Sequence, residues 1–409
     1  FWKWIFLSEY FLCVILAIGM IETQRKYSLK KIHFQNFKGI KEISLEGLPE
    51  GAPWIFLTGE NGFGKTSILQ AIASSLAGWE EHISSFKINQ IEFSIESELF
   101  GSSEKWGIAN ENISGKLFLS KERWSSADFR YLACYGSSRL DTYIESSHVK
   151  SSPTISLYSS QSLLENIEYQ FTRWYSKQED SEFKAKYTSV KKLLIDLLGL
   201  KDIEVDFKTD KVLYIEQDSE GNPYEKMALQ ELASGYRSII SMVGDMVLKL
   251  FKRQPEIHTP SELKGIVIID ELDLHFHPKW QKKLPGLLTK IFPGIQFISS
   301  THSPIPLLGA PVGSVFLKVN RNTTDGITLE RLEEFESQMK DFLPNAILTS
   351  PIFGLQDIFP TSHTGKSRIR TEDSFNEIVV NKELQKRLKK FKGSSLEEDL
   401  LKSLSEKNK

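Results

Sequence analysis

The chain is poor in cysteine: Cys13 and Cys134 are its only two in 409 residues. Two thiols cannot build a disulfide framework or a cysteine-held metal cluster. Such sparse use fits a reducing compartment, which we expect to be the cytoplasm. Net charge is almost absent, formally -2, so bulk charge gives no support to a nucleic-acid binder, although a local basic patch could still make one. Internal repeats are missing, and no heptad pattern is sustained far enough to make a long coiled-coil arm. What is present is the make-up of a globular protein, 40% apolar and 25% charged, which excludes a disordered or fibrous chain. The length allows one large domain or two ordinary ones.

One stretch stands apart. Residues 1–20 (FWKWIFLSEYFLCVILAIGM) are strongly apolar and do not open with Met. A membrane anchor needs about 20 apolar residues; this run barely reaches that and carries Lys3 and Glu9. A signal peptide would be followed by an A-x-A-like cleavage site, and none follows. The favoured reading is a start assigned too early, with the chain beginning at Met20, so a membrane partner is not expected. The stretch is set aside from the fold.

From residue 28 onward the pattern is that of an α/β protein. Ile32, Phe34 and Phe37, then Ile43 and Leu45, give broken alternation, and Trp54 to Leu57 is a compact buried run. A helix is predicted from Thr66 to about Ala77. IEFSIE, KLFLS and FRYLACYG, between about 87 and 136, read as an antiparallel meander with a polar turn at Asn110-Glu111-Asn112. Over about 161–200 the apolar residues fall at helical spacing (Leu163, Leu164, Ile167, Phe171, Trp174, then Val190 to Leu198), predicting a helical insertion. Strands return at IEVDF and VLYIEQ, and a helix follows from Tyr236 to Phe251. The apolar strand 265–269, a helix from Pro278 to Ile291 and the strand Gln296 to Ser300 come next. Two apolar strands joined by a helix demand a parallel sheet covered on both faces. We therefore expect one domain over 28–330 and an extension over 331–409. That extension ends in a Lys/Glu-rich helical tail, whose basic run Lys386, Arg387, Lys389, Lys390 and Lys392 reads as a solvated face.

Four motifs carry chemistry. Gly59-Glu60-Asn61-Gly62-Phe63-Gly64-Lys65-Thr66, followed by Ser67, sits between a buried strand and a helix, the setting of a phosphate-binding P-loop. Glycines let successive amides point at phosphate oxygens, and the helix start adds its positive dipole end. Lys65 is expected to reach the β- and γ-phosphates of ATP and Thr66 to ligate Mg²⁺. Asp270 and Glu271 end an apolar strand, where ligands of open α/β sheets bind. Asp270 is assigned to Mg²⁺ and Glu271 to the attacking water. His302, within Ser300-Thr301-His302-Ser303-Pro304, ends a neighbouring strand and could meet the γ-phosphate. Ser234 and Gly235 precede a helix as a second anion site, one phosphate cradle more than a single nucleotide needs.

In this order, GENGFGKTS, LASGYRS, IVIIDELDLHFHP and SSTHSP resemble the ABC-type ATPase heads of the structural-maintenance-of-chromosomes, RecF and OLD-like group. The DELDLHFHP form is similar to that of AAA-type ATPases from prokaryotic phage-defence systems. Tyr135 to Arg139 and Ile347 to Pro351 resemble segments of Septu and retron-associated ATPase subunits. The resemblance implies a P-loop NTPase fold with an antiparallel β subdomain and a slow ATPase. It also implies an ATP-dependent dimer or higher oligomer. Ser234 and Gly235 would bind the γ-phosphate held by Lys65 of the opposite copy, Asp273 would lie at the dimer seam, and His302 would sense the γ-phosphate. Arg139 would touch nucleotide or neighbour, or make a structural salt bridge. Departures are plain: no DxD cluster or His-Asn-His pattern follows His302, and the insertion is far shorter than chromosome-type arms. The effector, a nuclease, is then expected on another chain. A RecF-like repair ATPase acting on DNA, or a nucleotide-binding scaffold with little turnover, are the alternatives, and DNA or RNA contact stays open.

Overall fold

The computed structural model describes residues 25–77, 93–113, 116–120, 129–137, 152–206, 208–209, 211–338, 344–350 and 352–353. The apolar run 1–20, Ser138, Arg139, Pro351 and the basic run 386–392 lie outside the described residues. The chain divides into two compact units, Phe1–Lys340 and Asp341–Lys409. In the second, one short helix, Pro344–Thr349, is described, and the Ser350 hydroxyl donates to the Ile347 carbonyl at its end.

In the first unit the elements run β1 (Ser28–Phe37), β2 (Ile40–Leu45), β3 (Trp54–Thr58), α1 (Lys65–Ala77), β4 (Ser94–Phe100), β5 (Lys105–Ile113), β6 (Lys116–Ser120) and β7 (Leu132–Tyr135). Then come α2 (Ile155–Tyr158), α3 (Ile167–Ser176), α4 (Ser181–Leu198), β8 (Asp202–Asp206), β9 (Lys211–Gln217), β10 (Pro223–Ala228) and α5 (Ser234–Arg253). The unit closes with β11 (Gly265–Ile269), α6 (Pro278–Ile291), β12 (Ile295–Ser300), β13 (Val315–Asn322), β14 (Gly326–Arg331) and α7 (Glu333–Gln338).

Eleven strands form one sheet in the order β6-β5-β4-β1-β2-β14-β13-β3-β12-β11-β7. From β13 to β7 every pairing is parallel, and from β6 to β14 every pairing is antiparallel. In the parallel half β3, β7, β11 and β12 are buried at every position because both their faces are covered. Ile55, Leu57, Ile298 and Leu317 join the core that contains Ile68, Leu69 and Leu76 of α1. On the other face Phe297, Trp54, Phe56 and Phe316 stack in a row, with ring centroids 4.6, 5.1 and 5.6 Å apart. Trp54 Nε1 donates to Thr289 Oγ1 of α6 at 2.8 Å, which satisfies the one polar atom of that row. Helix α1 is almost wholly buried, since it packs on β1, β4 and β5 as well as on β7 and β12.

Several sequence expectations need correction. Asn110 to Asn112 do not turn the chain; they lie inside β5, an antiparallel strand between β4 and β6. The FRYLACYG run contributes only β7, which leaves the meander and pairs in parallel with β11 at the opposite edge of the sheet. Strands β10, β13 and β14 were not anticipated at all. The helical insertion consists of α3 and α4, capped by Asn166 and Asp180 side chains and closed at Gly199 in the left-handed conformation (φ +69°). The three-stranded sheet β10-β9-β8 follows it.

Candidate functional site

The P-loop begins where β3 leaves the sheet. Gly59 has φ +140° and Gly64 φ +99°, backbone shapes that L side chains rarely adopt. Space at Gly59 forbids a side chain as well, since a Cβ there would lie 2.4 Å from the Val319 carbonyl oxygen; one at Gly64 would have to push aside Ile327 Cδ1, 2.3 Å away. The unforeseen hairpin β13–β14 is thus the floor on which the loop rests. Arg321 of β13 also donates to the Gly62 carbonyl at 3.1 Å.

Lys65 opens α1 and is 4% exposed. Its ammonium donates to the Gly59 and Glu60 carbonyls at 2.8 and 3.0 Å and lies 3.2 Å from His302 Nδ1. Burial pushes the Lys65 ammonium down to about 8, against the opposing pull of Asp270, Glu271 and Asp273. Burial and the nearby ammonium likewise lower the His302 imidazole, leaving it neutral at pH 7. In that state Nδ1 accepts from Lys65 and Nε2 carries the proton.

Thr66 Oγ1 donates to Asp270 Oδ2 at 2.7 Å, while the Ser300 hydroxyl donates to the other carboxylate oxygen, Oδ1. Ser300 Oγ in turn accepts from the Glu271 amide at 2.8 Å. Glu271 is held at φ +50°, unusual for a residue with a side chain and the kind of local strain that gathers at working sites. Asp273 Oδ1 accepts from Thr301 Oγ1 at 2.6 Å and from the His302 amide at 3.2 Å. Asn61, Gly62, Gly64, Lys65, Thr66 and Ser67 face Glu271, Asp273 and His302 across one open cleft of about 550 Å³.

The three sequence motifs at the ends of β3, β11 and β12 therefore share one cleft, whereas Ser234 and Gly235 line a separate one. A correction applies to Ser234: it does not precede its helix but is the first residue of α5, after the cap residue Ala233. Sequence reasoning quoted Ser300 and Thr301 without giving them a task, yet they fix Asp270, Glu271 and Asp273. Two hydroxyls immediately before His302 were the available signal. Gln281, whose amide donates to the Asp273 and Phe276 carbonyls and whose oxygen accepts from Ser303, had no such signal.

The donor set suits a divalent cation: a hydroxyl and a carboxylate oxygen 2.7 Å apart, beside a loop shaped for phosphate, as in nucleotide sites where the phosphates supply further oxygens. Among the described residues no cluster of three His, Cys, Asp or Glu side chains could hold a metal alone. Among the same residues, no helix is long and apolar enough to cross a membrane.

The likeness to known proteins agrees with this geometry. The chain is 30% identical over 346 residues to Septu protein PtuA of Bacillus mycoides (strain KBAB4), covering 81% of this chain and 45% of that protein. It is 35% identical over 133 residues to the retron Vc95 probable ATPase of Vibrio cholerae serotype O1 biovar El Tor, covering 32% of this chain and 25% of that one. It thus spans less than half the length of either relative. The solved head domain of SMC from Thermotoga maritima overlaps it with a TM-score of 0.42 at 14% identity, over 74% of this chain and 98% of that one. The family described as "AAA domain, putative AbiEii toxin, Type IV TA system" matches residues 55–305, from β3 through the P-loop and Asp270 to just beyond His302. That match takes in more than half of the chain and every element of the nucleotide cleft: the protein belongs to this AAA family.

Proposed function

We propose that the chain is an ATP-binding and ATP-hydrolysing switch. Two copies pair head to head on ATP and control a separately encoded effector, a nuclease, in defence against phage. The observation that carries the reading is the meeting of Lys65, the Thr66–Asp270 pair, Glu271 and His302 in one cleft. In this reading Lys65 exchanges its carbonyl partners for oxygens of the β- and γ-phosphates, and the loop amides take the remaining phosphate oxygens. Thr66 and Asp270 hold Mg²⁺, which when bound neutralises charge on the phosphates. Glu271 orients the attacking water and takes its proton, and neutral His302 donates from Nε2 toward the terminal phosphate. Ser234 and Gly235 serve the nucleotide of the opposite copy, with Asp273 at the seam. The names of the Septu and retron relatives support the defence setting.

Glu271→Gln is the deciding variant. It keeps the size and one carbonyl acceptor but removes the base, so ATP turnover should fall about 100-fold or more while ATP-dependent association of two copies, read by light scattering, persists. Unchanged turnover would remove Glu271 from its role. Tight, salt-sensitive binding to duplex DNA by the isolated protein would point to a repair ATPase instead.

A further inference from the structure

A cavity of about 550 Å³ opens between α3 and the three-stranded sheet, lined by none of the residues of the nucleotide cleft. Helix α3 is two-sided. Ile167, Phe171 and Trp174 are buried, while Glu168, Thr172 and Ser176 follow one another at four-residue steps along the cavity wall, beside Tyr169 and Arg173. Strand β9 contributes Lys211 and Val212, and the turn that leads from β10 to α5 contributes Gln230.

Glu168 is the odd member. Its carboxyl accepts from the hydroxyl of Tyr214, a side chain only 1% exposed, and burial pushes that carboxyl up to about 7. Its ordinary value is 4.5, so between 4.5 and 7 the fold holds an extra proton and loses stability as pH rises. A glutamine could accept from Tyr214 without that penalty. The carboxyl therefore invites a use beyond the fold, and the chemistry of the P-loop cleft makes none of it.

The groups around it define what fits. Near neutral pH both the acid and the carboxylate of Glu168 are populated, so it can pair with a ring nitrogen or an exocyclic amine. Tyr169, 46% exposed, offers an aromatic face to a planar ring. The Thr172 and Ser176 hydroxyls donate to the Glu168 and Arg173 carbonyls, which leaves their oxygens to accept. Arg173 and Lys211 set two positive charges against the one carboxyl of the lining, so the ligand is an anion. A planar, hydrogen-bonding ring joined through hydroxyls to a phosphate is a nucleotide, and the cavity has the size of a small-ligand site.

We propose that this cavity binds a nucleotide other than the one in the P-loop, its base against Tyr169 and Glu168 and its phosphate on Arg173 and Lys211. A free nucleotide and the terminal nucleotide of a single strand share this chemistry. Gln230 belongs to the turn Leu229–Glu231, which runs into α5 at Ser234, so an occupant touches the linker into that helix. The site stands apart from the paired-head reading and does not depend on it.

Calorimetry on the full chain carrying Lys65→Ala, which removes the P-loop ammonium, tests the assignment with the four ribonucleoside 5′-monophosphates as probes. At least one should saturate a single site per chain. Tyr169→Ala, at a half-exposed side chain, should weaken that binding about tenfold, as the loss of one stacked base does. Glu168→Gln should weaken it to a similar degree while raising the denaturant midpoint at pH 8; a lowered midpoint would show that the carboxyl serves the fold and would overturn the proposal. Arg173→Ala with Lys211→Ala should erase the advantage of the monophosphate over its nucleoside. Absence of saturable binding, or binding indifferent to both Tyr169→Ala and Glu168→Gln, overturns the site. Equal affinity for inorganic phosphate reduces the cavity to a cationic patch and overturns it as well. A 5′-phosphorylated single-stranded hexanucleotide that binds tighter than the monophosphate assigns the site to a strand end; one that binds no tighter assigns it to a free nucleotide.

Discussion

The two halves of the eleven-stranded sheet obey different rules. Every residue of β3, β11 and β12 is buried, whereas β1 alternates, with Leu29, Ile32 and Phe34 inside and Lys30, Gln35 and Asn36 outside. A strand covered on both faces has nowhere to place a polar side chain except its end. Lys65, Asp270 and His302 accordingly all stand at or just past the carboxyl ends of parallel strands. The antiparallel half has a watery face and spends it on ion pairs, such as Glu98 with Lys105 at 2.8 Å and with Lys30 at 3.4 Å. Chemistry is crowded into one half because burial leaves it no other outlet.

The sharpest way to break this contrast is at the strand ends. Lys65→Ala should lower ATP affinity at least about 100-fold by calorimetry, since the loop loses its only buried ammonium; retained affinity would sink the P-loop assignment. The wild-type protein carries a pH signature of the same group. Its lysine titrates near 8 when folded and at 10.5 when unfolded, so between those values the unfolded chain holds more protons and the nucleotide-free fold gains stability as pH rises. Binding runs the other way: ATP needs the ammonium, so affinity should drop by up to about tenfold per pH unit above 8. A flat affinity between pH 7 and 9 would contradict the depressed lysine.

Within the strands the contrast is one of stability. Phe297→Ala, in the stacked aromatic row, should cost about 3–5 kcal/mol in denaturant unfolding, and its neighbour Ile298→Ala on the opposite face about 2–5 kcal/mol. In β1, Ile32→Ala should cost a similar amount but exposed Gln35→Ala under about 0.5 kcal/mol. A tolerant position inside β12 would show that one face is less covered than the packing indicates. Smallest of all is the surface: Glu98→Ala should cost under about 1 kcal/mol, and less still in 1 M salt.

Strands β3, β11 and β12 of the parallel half were legible in the sequence for the same reason that they are buried. Runs such as Ile266 to Ile269 and Trp54 to Leu57 announce themselves, and the P-loop and Asp270-Glu271 mark the ends. Helix α6 falls at its predicted limits because Pro278 starts it and the apolar stripe carries it to Ile291. In the antiparallel half β5 and β14 hid themselves. In β5 the half-polar sequence Ala109 to Asn112 looks like a turn, and only its neighbours β4 and β6 make it a strand. The β13–β14 hairpin did leave a trace: Asn322 to Gly326 is a turn in which the Asp325 amide donates to the Asn322 side chain and Gly326 has φ +74°. Its service as the floor of the P-loop left none, because contact between Ile327 and Gly64 spans the whole domain. The shared cleft of Lys65, Glu271 and His302 could be inferred only from motif order; the hydroxyls of Ser300 and Thr301 that fix it needed coordinates.

Helix α5 carries Ser234 and Gly235 at one tip and is gripped near its middle. There fully buried Asp245 accepts from the Tyr135 hydroxyl at 2.7 Å and the Glu165 amide at 2.8 Å, and it pairs with Lys249, which itself lies over the Tyr135 ring. These contacts tie the middle of the helix to β7 and to the segment just before α3. Eleven residues separate Asp245 from Ser234, a lever arm of roughly 16 Å at helical rise. A rocking of some four degrees at Asp245 would thus swing the tip by about 1 Å, enough to make or break a hydrogen bond there.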